Sequence, residues 1–114
     1  MGALGPNLNN LVKQCPGEKL SLQSIYKLTI QLIERLRVMH ELGYIHNDIK
    51  LDNILVGLKD SQLLYLIDFG MSSEYLDNDG NHIPKKDLQY FKGNLMFASL
   101  NSCRGNTKSR RDDL

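Results

Sequence analysis

Between Ser21 and Leu42 the apolar residues Leu22, Ile25, Leu28, Leu32, Leu36 and Met39 recur at steps of three and four, which predicts one long amphipathic helix. Ser21 is a suitable N-cap, and Gly43 stands where a helix ends in a left-handed residue. Upstream, Leu8 to Val12 predicts a short helix after Gly5-Pro6, and Pro16-Gly17 breaks the chain again. Downstream, Tyr44-Ile45, Ile54-Leu55-Val56 and Leu63 to Ile67 are apolar runs too brief for helices and are read as short strands. From Met71 to Lys92 the pattern gives way to Asp, Asn, Gly, Lys and a Pro, which predicts a long loop. Loops of that length inside a domain are usually functional. No internal repeat or low-complexity tract interrupts the chain.

Composition narrows the class without naming a function. The 114 residues carry a net charge of +1 and 41% hydrophobic content, values for one soluble folded unit. No apolar run approaches the roughly 20 residues that cross a bilayer, and Met1 to Pro6 lacks the basic start and apolar centre of a signal peptide. The expectation is an intracellular protein, cytoplasmic with the nucleus also open, without membrane or nucleic-acid partners. Met1-Gly2 opens like a myristoylation signal, but Pro6 stands where Ser or Thr is required. Cys15 and Cys103 are isolated and are read as reduced thiols. From Lys85 to Leu114 seven basic residues face three acidic ones, a local net of +4. That stretch is read either as a solvated loop face or as an anion-attracting patch.

Two polar segments flank the short strands. Between the first two lies His46-Asn47-Asp48-Ile49-Lys50-Leu51-Asp52-Asn53, and directly after the third comes Asp68-Phe69-Gly70. Taken singly, Asp48 and Asp52 suit turns, Lys50 a surface charge and Asn53 a loop. Together they fit phosphoryl transfer. A hydroxyl nucleophile needs an acceptor for its proton, supplied by Asp48, and charge developing on the transferred group needs a cation, supplied by Lys50. Magnesium that accompanies ATP takes hard oxygen ligands, which Asn53 and Asp68 provide. Positioning carries most of the catalysis in such chemistry, so one tight loop should fix Asp48, Lys50 and Asn53 while a ribbon from Ile54 to Ile67 returns Asp68 to Asn53. Gly70 is expected to allow a sharp turn. His46 is read as a brace between the loop and Asp68-Phe69-Gly70, and Phe69 as a packing residue.

These segments resemble the eukaryotic protein kinases, whose catalytic loop reads His-Arg-Asp-x-Lys-x-x-Asn. Lys50, two residues after Asp48, resembles the serine/threonine subgroup. Other stretches are similar to the casein kinase I family: Leu4-Gly5-Pro6-Asn7-Leu8, His82-Ile83-Pro84, Ala98-Ser99-Leu100-Asn101 and Ser109-Arg110-Arg111-Asp112-Asp113-Leu114. The resemblance implies an α+β, protein-kinase-like fold, with residues 1–114 forming a partial C-terminal lobe from hinge to central helix, mainly helical with short β-hairpins at the catalytic cleft. It implies ATP and magnesium as cofactors, Ser or Thr of proteins, acidic ones included, as substrate, and a monomer when complete. Leu4 would meet adenine at the hinge, Leu55 would form the adenine floor, and Asp113 would hold the catalytic-loop backbone.

Departures from the family pattern set further expectations. Asn47 replaces the usual Arg that pairs with a phosphorylated activation loop, Asn94 replaces a Thr beside Asp48, and Met96 replaces an Arg that binds acidic or phosphorylated substrates. Lys85, Lys86 and Lys92 could restore part of that positive field, but point charges substitute weakly for a planar guanidinium. The 114 residues contain no Gly-rich loop and no phosphate-gripping lysine with its glutamate partner. The apolar stripe of the long helix is expected to lack a packing partner. A kinase-like binding protein without activity, and a small-molecule kinase of the aminoglycoside or choline type, are the alternative readings.

Overall fold

The computed structural model describes residues 4–88, 90, 91 and 93–114, so Lys92 and the Met1-Gly2 opening lie outside the described residues. The chain divides into two units, Met1–Arg35 with Lys50–Asp68, and Leu36–Ile49 with Phe69–Leu114.

In the first unit, alternation along β3 (Ile54–Gly57) sets the layers. Ile54 and Val56 are buried on one face and Leu55, half-buried, points to the other. β3 pairs antiparallel with β4 (Leu64–Leu66) in the register Leu55↔Tyr65 and with β1 (Leu4–Asn7) through a bulge, giving the order β1-β3-β4. Pro6 is tolerated because β1 is an edge strand. Gly57 is required at the hairpin, since a Cβ there would meet the Asp60 carbonyl oxygen at 2.4 Å. The expected ribbon is therefore two strands of a three-stranded sheet. Asn7 caps the helix α1 (Leu8–Gln14), its side-chain oxygen accepting from Asn10 N–H at 2.8 Å. Leu8, Ile54, Val56 and Leu64 form the buried cluster, with Leu11, Leu28, Leu32, Leu51 and Leu66 packed against it.

The predicted long helix is α2, Leu22–Glu41, with Ser24 N–H donating to the Ser21 hydroxyl at its start and Gly43 at φ +89° after its end. Its residues 22–35 belong to the first unit. The predicted stripe is covered only in its later part: Leu28 and Leu32 pack on the sheet cluster, Leu36 is buried and Met39 is half-buried, while Leu22 and Ile25 are exposed. This corrects in part the expectation that the stripe lacks a partner, because the cluster on the β3–β4 hairpin covers Leu28 and Leu32. Tyr26, Ile30 and Ile33 form a second, exposed row. Gln31 and Arg35 close the outer edge of β4: Gln31 Oε1 accepts from Leu64 N–H at 3.0 Å, its amide donates to Gln62 O at 2.6 Å, and Arg35 Nε donates to Leu64 O at 3.2 Å.

In the second unit, β2 (Tyr44–Ile45) pairs antiparallel with β5 (Ser73–Glu74). The Tyr75 ring is buried beside them, with its hydroxyl donating to His40 O at 2.5 Å. The predicted loop from Met71 to Lys92 is thus not structureless. It contributes β5 and the bridges Leu76↔His82 and Asp87↔Asn106. α3 (Leu100–Cys103) is capped by Ser99, and a helical turn at Arg110–Asp113 is closed by a capping box between Ser109 and Asp112. Among the described residues, regular helix is concentrated in α2, and no helix is long and apolar enough to cross a membrane.

Candidate functional site

The predicted site residues fall in both units. In the first, Lys50 precedes a helical turn at Leu51–Asn53, closed by Asn53 N–H donating to Lys50 O at 3.0 Å. Asp52, which carries no predicted role, accepts from the Asn9 amide at 3.0 Å and ties this turn to α1. Asn53 is buried, and its carbonyl accepts from Ile67 N–H at 3.0 Å, so the residue before Asp68 is fastened to Asn53. This is the return path that the ribbon was expected to provide. Asp68 is exposed, with φ +63°. The left-handed residue of the Asp68-Phe69-Gly70 segment is thus Asp68, while Gly70 lies inside a helical turn, Phe69–Met71, contrary to expectation. Asp tolerates this region better than most non-glycine residues, at some cost in strain.

Asn53 and Asp68 offer an amide oxygen and a carboxylate from one unit. That is the donor chemistry of a magnesium ion, which binds through one or two protein oxygens and completes its shell with water and phosphate. The residues fit the ion. Leu4, 37% exposed, and half-buried Leu55 lie in the paired strands β1 and β3, outside the buried cluster.

In the second unit, Asp48 is buried and its N–H donates to His46 Nδ1 at 3.2 Å. His46 is fully buried and meets the Phe69 ring edge-on, centroids 5.3 Å apart, which matches the bracing contact read from the sequence. Asp113 holds the loop backbone, accepting from His46 N–H at 2.8 Å and Asn47 N–H at 2.9 Å while His40 Nε2 lies 2.8 Å from the same carboxylate. Its resemblance-based role is thus matched by two backbone bonds.

Sequence reasoning treated Asn47 only as a lost arginine. In the structure it adopts φ +67°, a region Asn favours among non-glycine residues, and its amide donates to Met71 O at 2.9 Å and the Ser73 hydroxyl at 2.7 Å. The amide therefore secures the stretch after Asp68-Phe69-Gly70. Asn in place of Arg was the one available signal, since a short amide reaches nearby backbone where a guanidinium would extend past it.

A cavity of about 380 Å3 within this unit is lined by Asp48, Asn94, Phe97 and Lys108 among others. Asn94 thus shares a cavity with Asp48, as its position implied, although its side-chain oxygen accepts from Met96 N–H at 2.9 Å. Met96 itself is 83% exposed. Gly93, at φ +131°, passes so close that a Cβ would lie 3.2 Å from Asn47 O and 3.0 Å from Lys108 Nζ. Lys108 at this cavity was not singled out from the sequence. Compared with known protein families, residues 3–107 match the protein kinase domain.

Proposed function

The chain belongs to the protein kinase family, and from that premise we propose that it is part of a serine/threonine protein kinase of casein kinase I type. The observation that carries the reading is the fastening of Ile67 to Asn53, which keeps the oxygen donors Asn53 and Asp68 on one short hairpin. When bound, magnesium ATP supplies the phosphoryl group and a divalent charge that offsets its oxygens. Asp48 orients the substrate hydroxyl and accepts its proton, and the buried bracing of His46 and Asp113 keeps the carboxylate's loop in place. Lys50 neutralises the group in transit, and Asn53 and Asp68 hold the metal. Leu4 and Leu55 border the adenine. Lys50 supports Ser and Thr as acceptors. The contact between His82 and Ser109 supports the casein kinase I subgroup, because it joins two of the landmarks that carry that resemblance. A cytoplasmic or nuclear location is part of the same proposal.

A kinase-like binding protein is the second reading, favoured by Asn94, whose oxygen is committed to Met96 N–H, and by the exposed Met96. One experiment separates the two. The product of the transcript, sequenced through both ends, is assayed for transfer of labelled phosphate from ATP to casein and to Ser, Thr and Tyr peptides. Transfer to Ser or Thr that disappears in Asp48→Asn is the expected result. Transfer to Tyr alone, or transfer unaffected by the substitution, overturns the assignment.

A further inference from the structure

Two segments without an assigned part in phosphoryl transfer, His82-Ile83-Pro84 and Ser109-Arg110-Arg111, meet in the second unit. His82 Nδ1 lies 2.7 Å from Ile83 O; a carbonyl only accepts, so Nδ1 carries the proton. His82 Nε2 lies 2.7 Å from Ser109 Oγ. The Tyr75 ring packs against His82 at 5.8 Å and takes the Arg110 guanidinium over its face at 5.0 Å, which fixes this corner from the side.

Beside the contact is a cavity of about 200 Å3, lined by His82, Lys85, Thr107, Ser109 and Arg111 together with Ile83 and Pro84. It is smaller than the roughly 300 to 1,000 Å3 of sites for drug-sized ligands, so it suits a small ion or a single chemical group. Two cations line it and no carboxylate does. The nearby Asp112 accepts from the Ser99 hydroxyl, the Asn101 amide and Ser109 N–H, and its carboxylate also lies 3.7 Å from Arg111 Nε. Thr107 Oγ1 accepts from Lys86 N–H at 2.8 Å and donates to Lys86 O at 3.0 Å, which pins the backbone next to Lys85. Arg111 gives one N–H to Asn101 Oδ1 at 3.2 Å, and a guanidinium has five.

We propose that this cavity binds a phosphate group, carried either on free phosphate or on a phosphorylated side chain. A phosphate bears a charge of about −1.5 to −2 near neutrality, opposite in sign to Lys85 and Arg111, of which Arg111 also faces Asp112. Arg111 supplies a planar fork for two oxygens and Lys85 a mobile point charge. The His82, Thr107 and Ser109 side chains already have partners, so the walls are organised before the ligand arrives.

The test is an NMR titration of the isotopically labelled 114-residue polypeptide at constant ionic strength, with inorganic phosphate, a Ser peptide and its phosphoserine counterpart. Amide shifts of Lys85, Lys86, Thr107 and Ser109 are followed. Saturable shifts with phosphate are expected, weakened by up to about fivefold in Lys85→Gln and at least about tenfold in Arg111→Gln. Tighter binding of the phosphoserine peptide than of free phosphate assigns the phosphorylated side chain as the source, and the reverse order assigns the free ion. Lys85 is exposed and anchors no hydrogen bond among the described residues, so its variant keeps the test valid should Arg111→Gln lose its fold. Shifts that fail to saturate, that chloride reproduces at equal ionic strength, or that persist unchanged in Lys85→Gln overturn the proposal.

Discussion

Asp113 shows how much one carboxylate can organise. It accepts from two consecutive backbone N–H groups of the loop and faces His40, while being itself 5% exposed. Asp113→Ala leaves two donors without partners, and each costs about 1 to 3 kcal/mol when buried. Chemical denaturation should therefore show a loss of at least about 2 kcal/mol, with faster hydrogen exchange at His46 and Asn47, whereas Asp113→Asn keeps one acceptor and should lose less. Met96 yields a prediction on specificity. In an active form of the kinase, Met96→Arg restores a charge-assisted contact of about 1.5 to 3 kcal/mol, so the ratio of kcat/KM for primed over unprimed peptides should rise about tenfold or more. The exposed Lys85 and Lys86, worth about 0 to 1 kcal/mol each as surface charges, should not mask it. An unchanged ratio would show that Met96 lies away from the anion site. Asp48, Lys50, Asn53 and Asp68 were singled out from the sequence because phosphoryl transfer asks for those residue types at close spacing. The attachment of Asn47 was not, since its acceptors lie 24 and 26 residues further along the chain.

The elements divide along the same line. α2, β2, β3 and β4 were legible because a sustained period of 3.6, or a brief apolar run between polar residues, survives in the sequence. β5 was not: Ser73 and Glu74 are both exposed and carry no apolar pattern, and only pairing with β2 makes them a strand. The coverage of the α2 stripe was misjudged for a related reason, as nothing in a helix says which later segment folds onto it. Gln31 tests that packing. Its side chain satisfies the Leu64 N–H of the edge strand β4 and the Gln62 C=O just before that strand, an arrangement that also blocks the edge from pairing with another chain. Gln31→Ala should cost about 1 to 3 kcal/mol in denaturation, by leaving the N–H of the buried Leu64 unsatisfied. Ile30→Ala, one position away on the exposed row, should change stability by less than about 0.5 kcal/mol. Equal losses from the two substitutions would mean that the Gln31 bonds contribute nothing beyond helix propensity.

For the molecule as a whole, the sequence contains the oxygen donors for a metal but no Gly-rich loop or paired lysine to grip ATP phosphates. The 114-residue polypeptide by itself should accordingly transfer no measurable phosphate to casein or an acidic peptide. Labelled transfer that vanishes in Asp48→Asn would contradict this. The clasp at Asp113 also has a consequence for biosynthesis. Asn47 and Asp113 are 66 residues apart, which at roughly 5 to 20 residues per second is about 3 to 13 s of translation. Throughout that interval the nascent loop has no Asp113 to hold it, so its final geometry awaits nearly the last codon of this segment. A ribosome that stalls before that codon leaves the loop open to chaperones and proteases.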